Sequence, residues 1–342
     1  GKESSKSDPL NVTRTVPSVG PAVHKQPAQP TNTQILISKT NIVAYRGDTV
    51  DVTIQAAANA IEKFWIPSDP YSVKGLKHTG QFRESAGTDK TNHMTARTSG
   101  TIAMDQPLGT NGFIYAVIGK AREGRASREN PSETKTVQLD ITVLEVAKKY
   151  DISIDKKITV DNPNAVSGPE KEKIIAEIKE KNNRTYADAA YRALLDQATY
   201  SVDEKGNVTI TYPDKSVDKV ASSYTIQKRP VIETSLVDKA DTQTPITVSA
   251  DPGSKVKLYD HSGHELGEGT ANGNGRVTIN PTIPIPNGNV TAKATDNRDN
   301  TTDASAPKQA TVPAPQALTI QQPSHGSTSV TITPQGRTDI IS

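Results

Sequence analysis

The sequence predicts a mainly β protein made of small sandwich modules in tandem, with one small α+β module between them. Only 33% of the 342 residues are apolar and 4% are aromatic, against about 45–50% apolar residues in typical globular domains, so several thin cores are expected rather than a large one. Apolar and polar residues alternate in many short runs, which is the period of a strand with one buried face. The 23 prolines cluster where linkers between modules would fall.

Charge and cysteine content exclude several classes of protein. The 40 basic and 38 acidic residues give a formal net charge of +2, which offers no electrostatic basis for binding nucleic acid or a membrane surface. No apolar run is long enough to span a bilayer, so no membrane insertion is expected. The absence of cysteine excludes cysteine catalysis and thiolate metal sites, and it argues against an animal extracellular protein.

The first part of the chain is predicted to be a linker followed by a sandwich. Residues 1–32 are rich in proline and poor in apolar residues, as in a disordered linker. Residues 33–147 contain alternating runs on both sides of a turn at Arg46-Gly47-Asp48, which favours an antiparallel sandwich. Residues 68–112 contain several glycines and are predicted to be loop-like. The alternating residues are Ile35, Ile37, Val50, Val52, Ile54, Phe113, Tyr115, Val117, Val137, Leu139, Ile141 and Val143.

Residues 148–229 are predicted to form the small α+β module. A strand at Lys157–Val160 precedes Ser167-Gly168-Pro169-Glu170, which has the spacing of a helix N-terminus with Glu three residues after the capping Ser. Ile174, Ile175 and Ile178 follow at helical spacing, and a second helical piece is predicted from Tyr186 to Ala198. The module is predicted to end in a hairpin, whose apolar positions are Val208, Ile210, Tyr212, Val217, Val220, Tyr224 and Ile226.

Residues 230–313 are predicted to form another sandwich, and residues 314–342 the start of a further, truncated β module. Strands are expected at Lys255–Tyr259, Val277–Ile279 and Asn289–Ala294. Asn272-Gly273-Asn274-Gly275 is a strong hairpin signal. After Pro315, the positions that alternate are Leu318, Ile320, Val330 and Ile332.

Three motif sets carry resemblances to known families. Asp251-Pro252-Gly253-Ser254-Lys255-Val256, Gly267–Ala271 and Asn287–Asp296 resemble the bacterial Ig-like repeats of surface proteins, although Asp299 stands where that family usually has Gly. Val160-Asp161-Asn162-Pro163 and Val202–Ser216 resemble a segment of Gram-positive wall proteins, with Lys215 in place of the usual Gly. Gly75-Leu76, Ser99-Gly100-Thr101 and the strand after Gly112 resemble cadherin-like or Ig domains more weakly.

These resemblances imply tandem Ig/cadherin-like β-sandwiches with one small α+β, β-grasp-like module between them. Together, the three modules are similar to the non-helical parts of giant matrix-binding proteins and serine-rich-repeat adhesins of Gram-positive cocci. The implied function is that of a non-catalytic segment of a secreted, cell-wall surface adhesin, acting as a stalk or binding a host matrix protein (fibronectin-like) or a cell-surface glycan. A spacer without a ligand of its own, lectin-like binding by the first module, and a wall-processing hydrolase are the alternatives. We expect an internal fragment of a longer protein, monomeric and without cofactor.

The sequence contains no convincing catalytic or metal-binding constellation. No nucleophile-elbow serine, P-loop lysine or pair of carboxylates beside an aromatic cleft is found. His261 and His264 lie in a predicted turn, and the acidic run at 296–303 does not have the spacing of a calcium loop. Arg46-Gly47-Asp48 resembles an integrin-binding tripeptide, but it also stands where a plain hairpin turn is expected. A buried Lys–Asn isopeptide bond, common in cysteine-free wall proteins, stays open. We therefore expect no enzyme and no metal site.

The best ligand-binding candidates are Trp65, Tyr71 and Arg97 in the first module. Trp65, the only tryptophan, and Tyr71 flank two prolines in a loop-prone segment. Exposed aromatic rings there could stack on a sugar or anchor a peptide, and Arg97 could supply charge to an acidic glycan. The alternative for Trp65 is a place in the core of the sandwich, as for most single tryptophans in such folds.

Overall fold

Most of the regular structure in this computed structural model is β-strand. The structure describes residues 22–23, 35–37, 40–59, 61–65, 73–83, 91–111, 116–120, 134–137, 139–315, 319–320 and 332–333. They fall into two compact units. The first contains residues 1–154, 178–201 and 208–220, and the second contains residues 155–177, 202–207 and 221–342, each as far as described.

The amino-terminal part of the first unit is formed by eleven described strands. They are β1 (Ala22–Val23), β2 (Ile35–Ile37), β3 (Thr40–Tyr45), β4 (Thr49–Asn59), β5 (Ile61–Trp65), β6 (Leu76–Arg83), β7 (Thr91–Thr101), β8 (Gly109–Asn111), β9 (Ala116–Lys120), β10 (Thr134–Val137) and β11 (Leu139–Leu144).

These strands form three sheets. The largest has the order β1-β4-β7-β6, with β2 also paired to β4; the other two have the orders β10-β9-β5 and β3-β11-β8. Buried apolar side chains of alternate positions form the inner face where burial is described: Ala44, Val50, Val52, Val73, Leu76, Ile102, Ile141 and Val143. The alternation in the sequence therefore predicted the buried face of β4 and β11.

Three local predictions for this region differ from the structure. The stretch at 68–112 is not loop-like, because it contains β6, β7 and β8. The turn at Arg46-Gly47 does not close a hairpin, because β3 pairs with β11 whereas β4 pairs with β7. Ala22–Val23, inside the predicted linker, pairs in parallel with Val52–Thr53; the remainder of 1–32 lies outside the described residues, as do Phe113 and Tyr115.

Residues 146–228 contain the described helices and five strands. They are a 3-10 turn (Val146–Lys148), β12 (Ile158–Val160), α1 (Gly168–Thr185), α2 (Ala189–Asp196), β13 (Thr199–Val202), β14 (Val208–Thr211), β15 (Val217–Val220), α3 (Ser222–Thr225) and β16 (Ile226–Lys228). The strands β13, β14 and β15 form one sheet in that order, and β12 pairs with β16. The two predicted helices and the hairpin of β14 and β15 are therefore present, whereas the strand β13 was not predicted.

Local side-chain bonds explain where the helices begin. Glu170 accepts the backbone N–H of Ser167 at 2.8 Å and its hydroxyl at 2.7 Å, so the predicted Ser/Glu pair is present as the reciprocal half of a capping box. Asp188 accepts the N–H of Tyr191 at 2.7 Å and so caps α2. The second helix begins three residues later than predicted for that reason.

The carboxyl-terminal part of the second unit is a two-sheet sandwich. Its strands are β17 (Val231–Ile232), β18 (Ile246–Ser249), β19 (Lys255–Tyr259), β20 (Glu265–Thr270), β21 (Arg276–Ile279), β22 (Gly288–Thr295) and β23 (Lys308–Ala310). The sheets have the orders β17-β18-β21 and β20-β19-β22-β23. Apolar residues from both sheets form one core, including Ile232, Ile246, Val248, Val256, Leu258, Leu266, Ile279, Val290 and Ala292.

The predicted strands of this sandwich are confirmed, but the predicted hairpin is not. Asn272–Gly275 forms a tight turn in which the N–H of Gly275 donates to the Asn272 carbonyl at 2.9 Å. The flanking strands β20 and β21 lie in different sheets, so the turn connects the two layers. Beyond Pro315, β24 (Thr319–Ile320) pairs with β25 (Ile332–Thr333), which agrees with a further β segment. The mainly β fold class with tandem domains is therefore confirmed.

Candidate functional site

The structure separates the predicted ligand-binding residues. Trp65 is the last residue of β5, in the sheet of β10-β9-β5, whereas Arg97 lies in the middle of β7 in the five-stranded sheet. Tyr71 lies outside the described residues. The grouping of these three residues into one site thus stays a prediction.

Arg97 is already engaged by a neighbouring strand. Its Nε donates to Oδ1 of Asp51 at 2.6 Å and one terminal nitrogen donates to Oδ2 at 2.5 Å, which is a bidentate pair. These hydrogen bonds lower the pKa of the Asp51 carboxyl and raise that of Arg97. The Arg97 side chain is still 56% exposed, so an acidic ligand would have to compete with Asp51 for its guanidinium group.

The Arg46-Gly47-Asp48 turn does not present its acidic residue to solvent. The Asp48 side chain is 6% exposed and accepts the backbone N–H of Tyr45 at 2.9 Å. Gly47 adopts φ +80°, which favours glycine, and Arg46 donates to the Gln106 carbonyl at 2.7 Å. The tripeptide is therefore a structural corner, and an integrin-like role would need an exposed carboxylate.

A buried ion pair with aromatic surroundings lies behind this corner. Lys149 Nζ is 2.5 Å from Oδ1 of Asp48, and the two side chains are 7% and 6% exposed. The ammonium group also lies 4.6 Å from the ring centroid of Tyr191 and about 6 Å from those of Tyr45 and Tyr150. Ring quadrupoles attract a cation in such positions. The buried lysine thus faces a carboxylate, not the asparagine amide that a Lys–Asn isopeptide bond requires.

Tyrosines pack around the same place. Tyr150 stacks on Tyr212 with ring centroids 5.7 Å apart, and it meets Tyr186 and Tyr191 edge-on at 5.2 and 5.7 Å. Burial raises the pKa of Tyr150, Tyr191 and Tyr212 above its usual range. These phenols therefore stay neutral and act as hydrogen-bonding core residues.

Asp214 forms a second polar contact in the first unit. Its side chain is fully buried and accepts the backbone N–H of Val146 at 3.0 Å, while Arg46 lies 3.5 Å from it. Ser216 donates its hydroxyl to the other carboxylate oxygen at 2.5 Å. The turn after β14 is therefore fastened to the segment that follows β11.

Asp296 is the centre of a comparable polar cluster in the second unit. It pairs with Lys157 Nζ at 2.7 Å and accepts the N–H groups of Arg298 and Asn300, both at 2.9 Å. Burial by itself would raise the pKa of this carboxyl, but these hydrogen bonds lower it to about 2. Asn300 also accepts the N–H of Lys157 at 3.2 Å. The loop after β22 therefore binds the segment before β12 through side chains.

Further bonds fasten β16 and its exit to the sandwich of the second unit. The carboxamide of Gln227, 2% exposed, donates to the Ala294 carbonyl at 3.3 Å. Asp251 accepts the N–H of Lys228 at 2.9 Å, and Arg229 donates to the Ala304 carbonyl at 2.8 Å and to Asp161 at 2.6 Å. A groove beside these bonds is lined by Ser222, Ser223, Ile226, Pro252 and Asn297, among others.

The histidine and acidic side chains of the predicted turns do not form a metal-ligand cluster among the described residues. His264 lies 3.2 Å from Asp260, within the predicted turn, and no group of three or more histidine, aspartate or glutamate side chains converges as metal ligands in the part of the chain that the structure describes. Within that part, no helix is both long and apolar enough to cross a bilayer.

Sequence reasoning missed the residues of both polar clusters. Lys149 and Lys157 belong to short Lys-Lys pairs in a lysine-rich chain, so nothing local distinguishes a buried lysine from a solvated one. Asp214 and Asp296 had a weak signal, because each begins a turn that the family motifs contain. Their partners are distant in sequence and could not be inferred.

Two segments match known domain families. Residues 150–229 match the model of the atypical Rib domain, and residues 232–314 match that of a bacterial Ig domain. Over 256 residues, 71% of its length, the chain is 28% identical to the extracellular matrix-binding protein EbhB of Staphylococcus aureus. The chain is thus similar to a Gram-positive matrix-binding surface protein.

Solved adhesin structures resemble the chain at lower sequence identity. The sialic acid binding region of a Streptococcus sanguinis adhesin covers 80% of the chain with 18% identity and a TM-score of 0.44. The SrpA adhesin of the same species covers 58% with 18% identity and a TM-score of 0.41. The chain spans only 6% of the length of the EbhB protein that it matches.

Proposed function

We propose that the chain is a non-catalytic segment of a secreted adhesin attached to the cell wall of a Gram-positive bacterium. In this proposal its domains are the linker 1–32, the modules 33–147, 148–229 and 230–313, and the start of another module at 314–342. The names of the relatives support an extracellular binding protein. The observation that carries the proposal is the fastening of successive segments by buried side-chain bonds, Asp48–Lys149 in one unit and Lys157–Asp296 in the other.

Such bonds suit a stalk that holds a binding region in a fixed orientation. Segments joined only by a flexible linker move freely by default, and a polar contact restrains them when its partners are desolvated and hydrogen-bonded. Both pairs meet these conditions, because all four side chains are at most 15% exposed. A spacer or adhesive role needs this geometry and no catalytic group.

Surface display can be tested on intact cells. An antibody raised against the purified chain should label unpermeabilised Gram-positive cells that express the parent protein, and deletion of its gene should abolish labelling. Labelling that requires permeabilisation contradicts the proposal. Purified chain incubated with cell-wall and glycan substrates should give no turnover, and sedimentation should give a monomer.

We further propose that the first module binds the ligand, either a matrix protein such as fibronectin or an acidic cell-surface glycan. The similarity to the extracellular matrix-binding protein EbhB supports the first ligand class, and the exposed cationic side chain of Arg97 suits the second. Trp65, Tyr71 and Arg97 are the proposed contacts. The exposed guanidinium of Arg97 is the part of this set whose surroundings the structure describes.

The Asp51–Arg97 pair makes this proposal testable in two directions. An Arg97→Ala variant should lose binding to sialylated glycans on an array, because it removes the cation. An Asp51→Asn variant should bind more tightly, because the competing carboxylate is neutralised. Lys77→Ala, another exposed cation, is the control and should leave binding unchanged. Equal glycan binding by all variants would contradict the role of Arg97, and no binding of glycan or fibronectin even by the wild type would favour the pure spacer.

A further inference from the structure

Besides the two-residue pairing of β1 with β4, two longer ladders among the described strands pair distant strands in parallel. Each residue of β3 is registered with one of β11, from Thr40 opposite Leu139 to Tyr45 opposite Leu144. In the second unit β12 is registered with β16, from Ile158 opposite Ile226 to Val160 opposite Lys228. In both ladders the earlier strand lies near the start of a module and the later strand ends it.

The direction of these ladders decides how they respond to tension along the chain. In a parallel pair, the amino-terminal end of the early strand and the carboxyl-terminal end of the late strand lie at opposite ends of the ladder. Pulling the chain by its ends therefore slides the two strands past each other and loads every inter-strand hydrogen bond together. An antiparallel pair pulled in the same way would open one bond at a time.

Both ladders continue past the last registered pair. The N–H of Arg46 donates to the Leu144 carbonyl at 3.0 Å, and the N–H of Arg229 donates to the Val160 carbonyl at 2.8 Å. The buried Lys149–Asp48 pair lies just beyond the first ladder and the Arg229–Asp161 pair just beyond the second. In each case an ion pair therefore joins the two chain segments directly after the ladder, where the strands would begin to separate.

The sandwich formed by 232–314 lacks this arrangement among its described strands. Its first strand, β17, pairs with β18, and its last strand, β23, pairs with β22 in the other sheet, both antiparallel. When its ends are pulled, only two short antiparallel pairings resist the tension, one of two residue pairs and one of three. Ahead of β3, the strands β1 and β2 likewise hold β4 through only two and three residues, so they part before the first ladder is loaded.

We infer that residues 40–144 and 158–228 are two force-bearing segments, each closed by a parallel strand ladder that is sheared when the chain is stretched. The sandwich at 232–314 is the weaker segment and extends first. This deepens the stalk role proposed above, but the resistance to force is a property of the chain whether or not it functions as an adhesin.

The inference is tested by pulling one module in two directions. The chain contains no cysteine, so pairs of cysteines introduced into the full chain give unique handles for single-molecule force measurement. Lys156→Cys with Val231→Cys pulls β12 and β16 in shear, whereas Asn162→Cys with Val231→Cys pulls apart the ends of the two strands that lie side by side. All three positions are exposed.

The shear pair should need at least twice the unfolding force of the side-by-side pair at one pulling rate. Equal forces would overturn the inference. Urea unfolding of both labelled proteins tests that the handles leave stability unchanged, since forced unfolding follows the unfolding barrier. If one pair destabilises the module, Asp155→Cys or Asn164→Cys, both at exposed positions, replaces the amino-terminal handle in that direction.

End-to-end pulling of the full chain provides a second, independent test. Fully extended, 232–314, 158–228 and 40–144 span roughly 27–30, 23–26 and 35–38 nm, respectively. Each unfolding event releases that span less the distance between the folded ends, and the event from 232–314 should come first in most traces. If the longest event comes first, the ladder of β3 and β11 does not bear load, even if surface labelling and glycan binding succeed.

Discussion

The buried Lys149–Asp48 pair gives the most informative stability prediction. In the wild type the Asp48 carboxylate accepts the Tyr45 N–H at 2.9 Å and faces Lys149 Nζ at 2.5 Å. Asp48→Asn keeps an oxygen that can accept the Tyr45 N–H but removes the negative charge that faces Lys149. The ammonium group then remains buried without a counter-ion. Breaking a buried pair in this way costs about 3–5 kcal/mol of unfolding free energy, a large fraction of the roughly 5–15 kcal/mol that stabilises a domain.

A double-mutant cycle separates the pair from its surroundings. Lys149→Met leaves the Asp48 carboxylate buried and should also cost about 3 kcal/mol, whereas the double variant contains no buried charge and should be close to the wild type. The coupling energy between the two positions is then at least about 2 kcal/mol. Urea unfolding followed by tyrosine and tryptophan fluorescence measures each step.

Lys148→Met is the matched control. Lys148 is adjacent in sequence but its side chain is 59% exposed and lies 4.0 Å from Glu145, so its loss should change the unfolding free energy by less than about 0.5 kcal/mol. Single variants of Asp48 and Lys149 that each cost no more than this control would refute the account of a desolvated pair. Two single effects that simply add would refute the coupling.

The remaining predictions concern backbone conformation and pH. Lys215 and Asp299 adopt φ +71° and +63°, in the left-handed region that favours glycine. Lys215→Gly should therefore stabilise the fold by roughly 0.5–1 kcal/mol, and Asp299→Gly by less, because Asp tolerates this region better. A loss of thermal stability in both variants would contradict this prediction. Gly206→Ala should destabilise, since φ is +85° and a Cβ would lie 2.9 Å from an Ile226 methyl carbon; an unchanged melting temperature is the contrary result. Because the pKa of Asp296 is lowered to about 2, its contribution is present above about pH 4 and lost as pH falls toward 2. Asp296→Asn should therefore cost about 1–2 kcal/mol at pH 7 but little near pH 2, and a difference from the wild type that does not change with pH would contradict it.

The fold was predictable where burial alternates and unpredictable where it does not. Val208 and Ile210 in β14, or Val256 and Leu258 in β19, alternate with polar residues because only one face of the strand is buried. The strand β7 has no such pattern: among its eleven residues, Thr91–Thr101, the only larger apolar side chain is Met94. Thr favours strands through its branched β-carbon, but a run of polar residues with a glycine also fits a loop, and only pairing with β4 and β6 decides the case.

At two positions the chain departs from the family motifs by having another residue in place of the usual Gly, and the structure shows what this does to each turn. Lys215 and Asp299 each replace a usual Gly, which left the turn type open. In the structure both keep the left-handed backbone that Gly would adopt, so the turns are preserved and the strain is tolerated. The hydrogen bonds around Asp214 and Asp296 supply the compensation, because each carboxylate binds backbone N–H groups of its own turn.

These two strained turns are also the places where the chain is fastened to a distant segment. Asp214 binds the N–H of Val146 at 3.0 Å and Asp296 binds Lys157 at 2.7 Å. An apolar contact of equal area would stabilise as well, since desolvating a charge offsets most of its attraction. What an ion pair or charge-assisted bond adds is direction, because its hydrogen bonds are satisfied in only one geometry. A chain with 33% apolar residues has little hydrophobic surface with which to fix the orientation of its segments, and directional bonds at rigid turns provide that orientation instead.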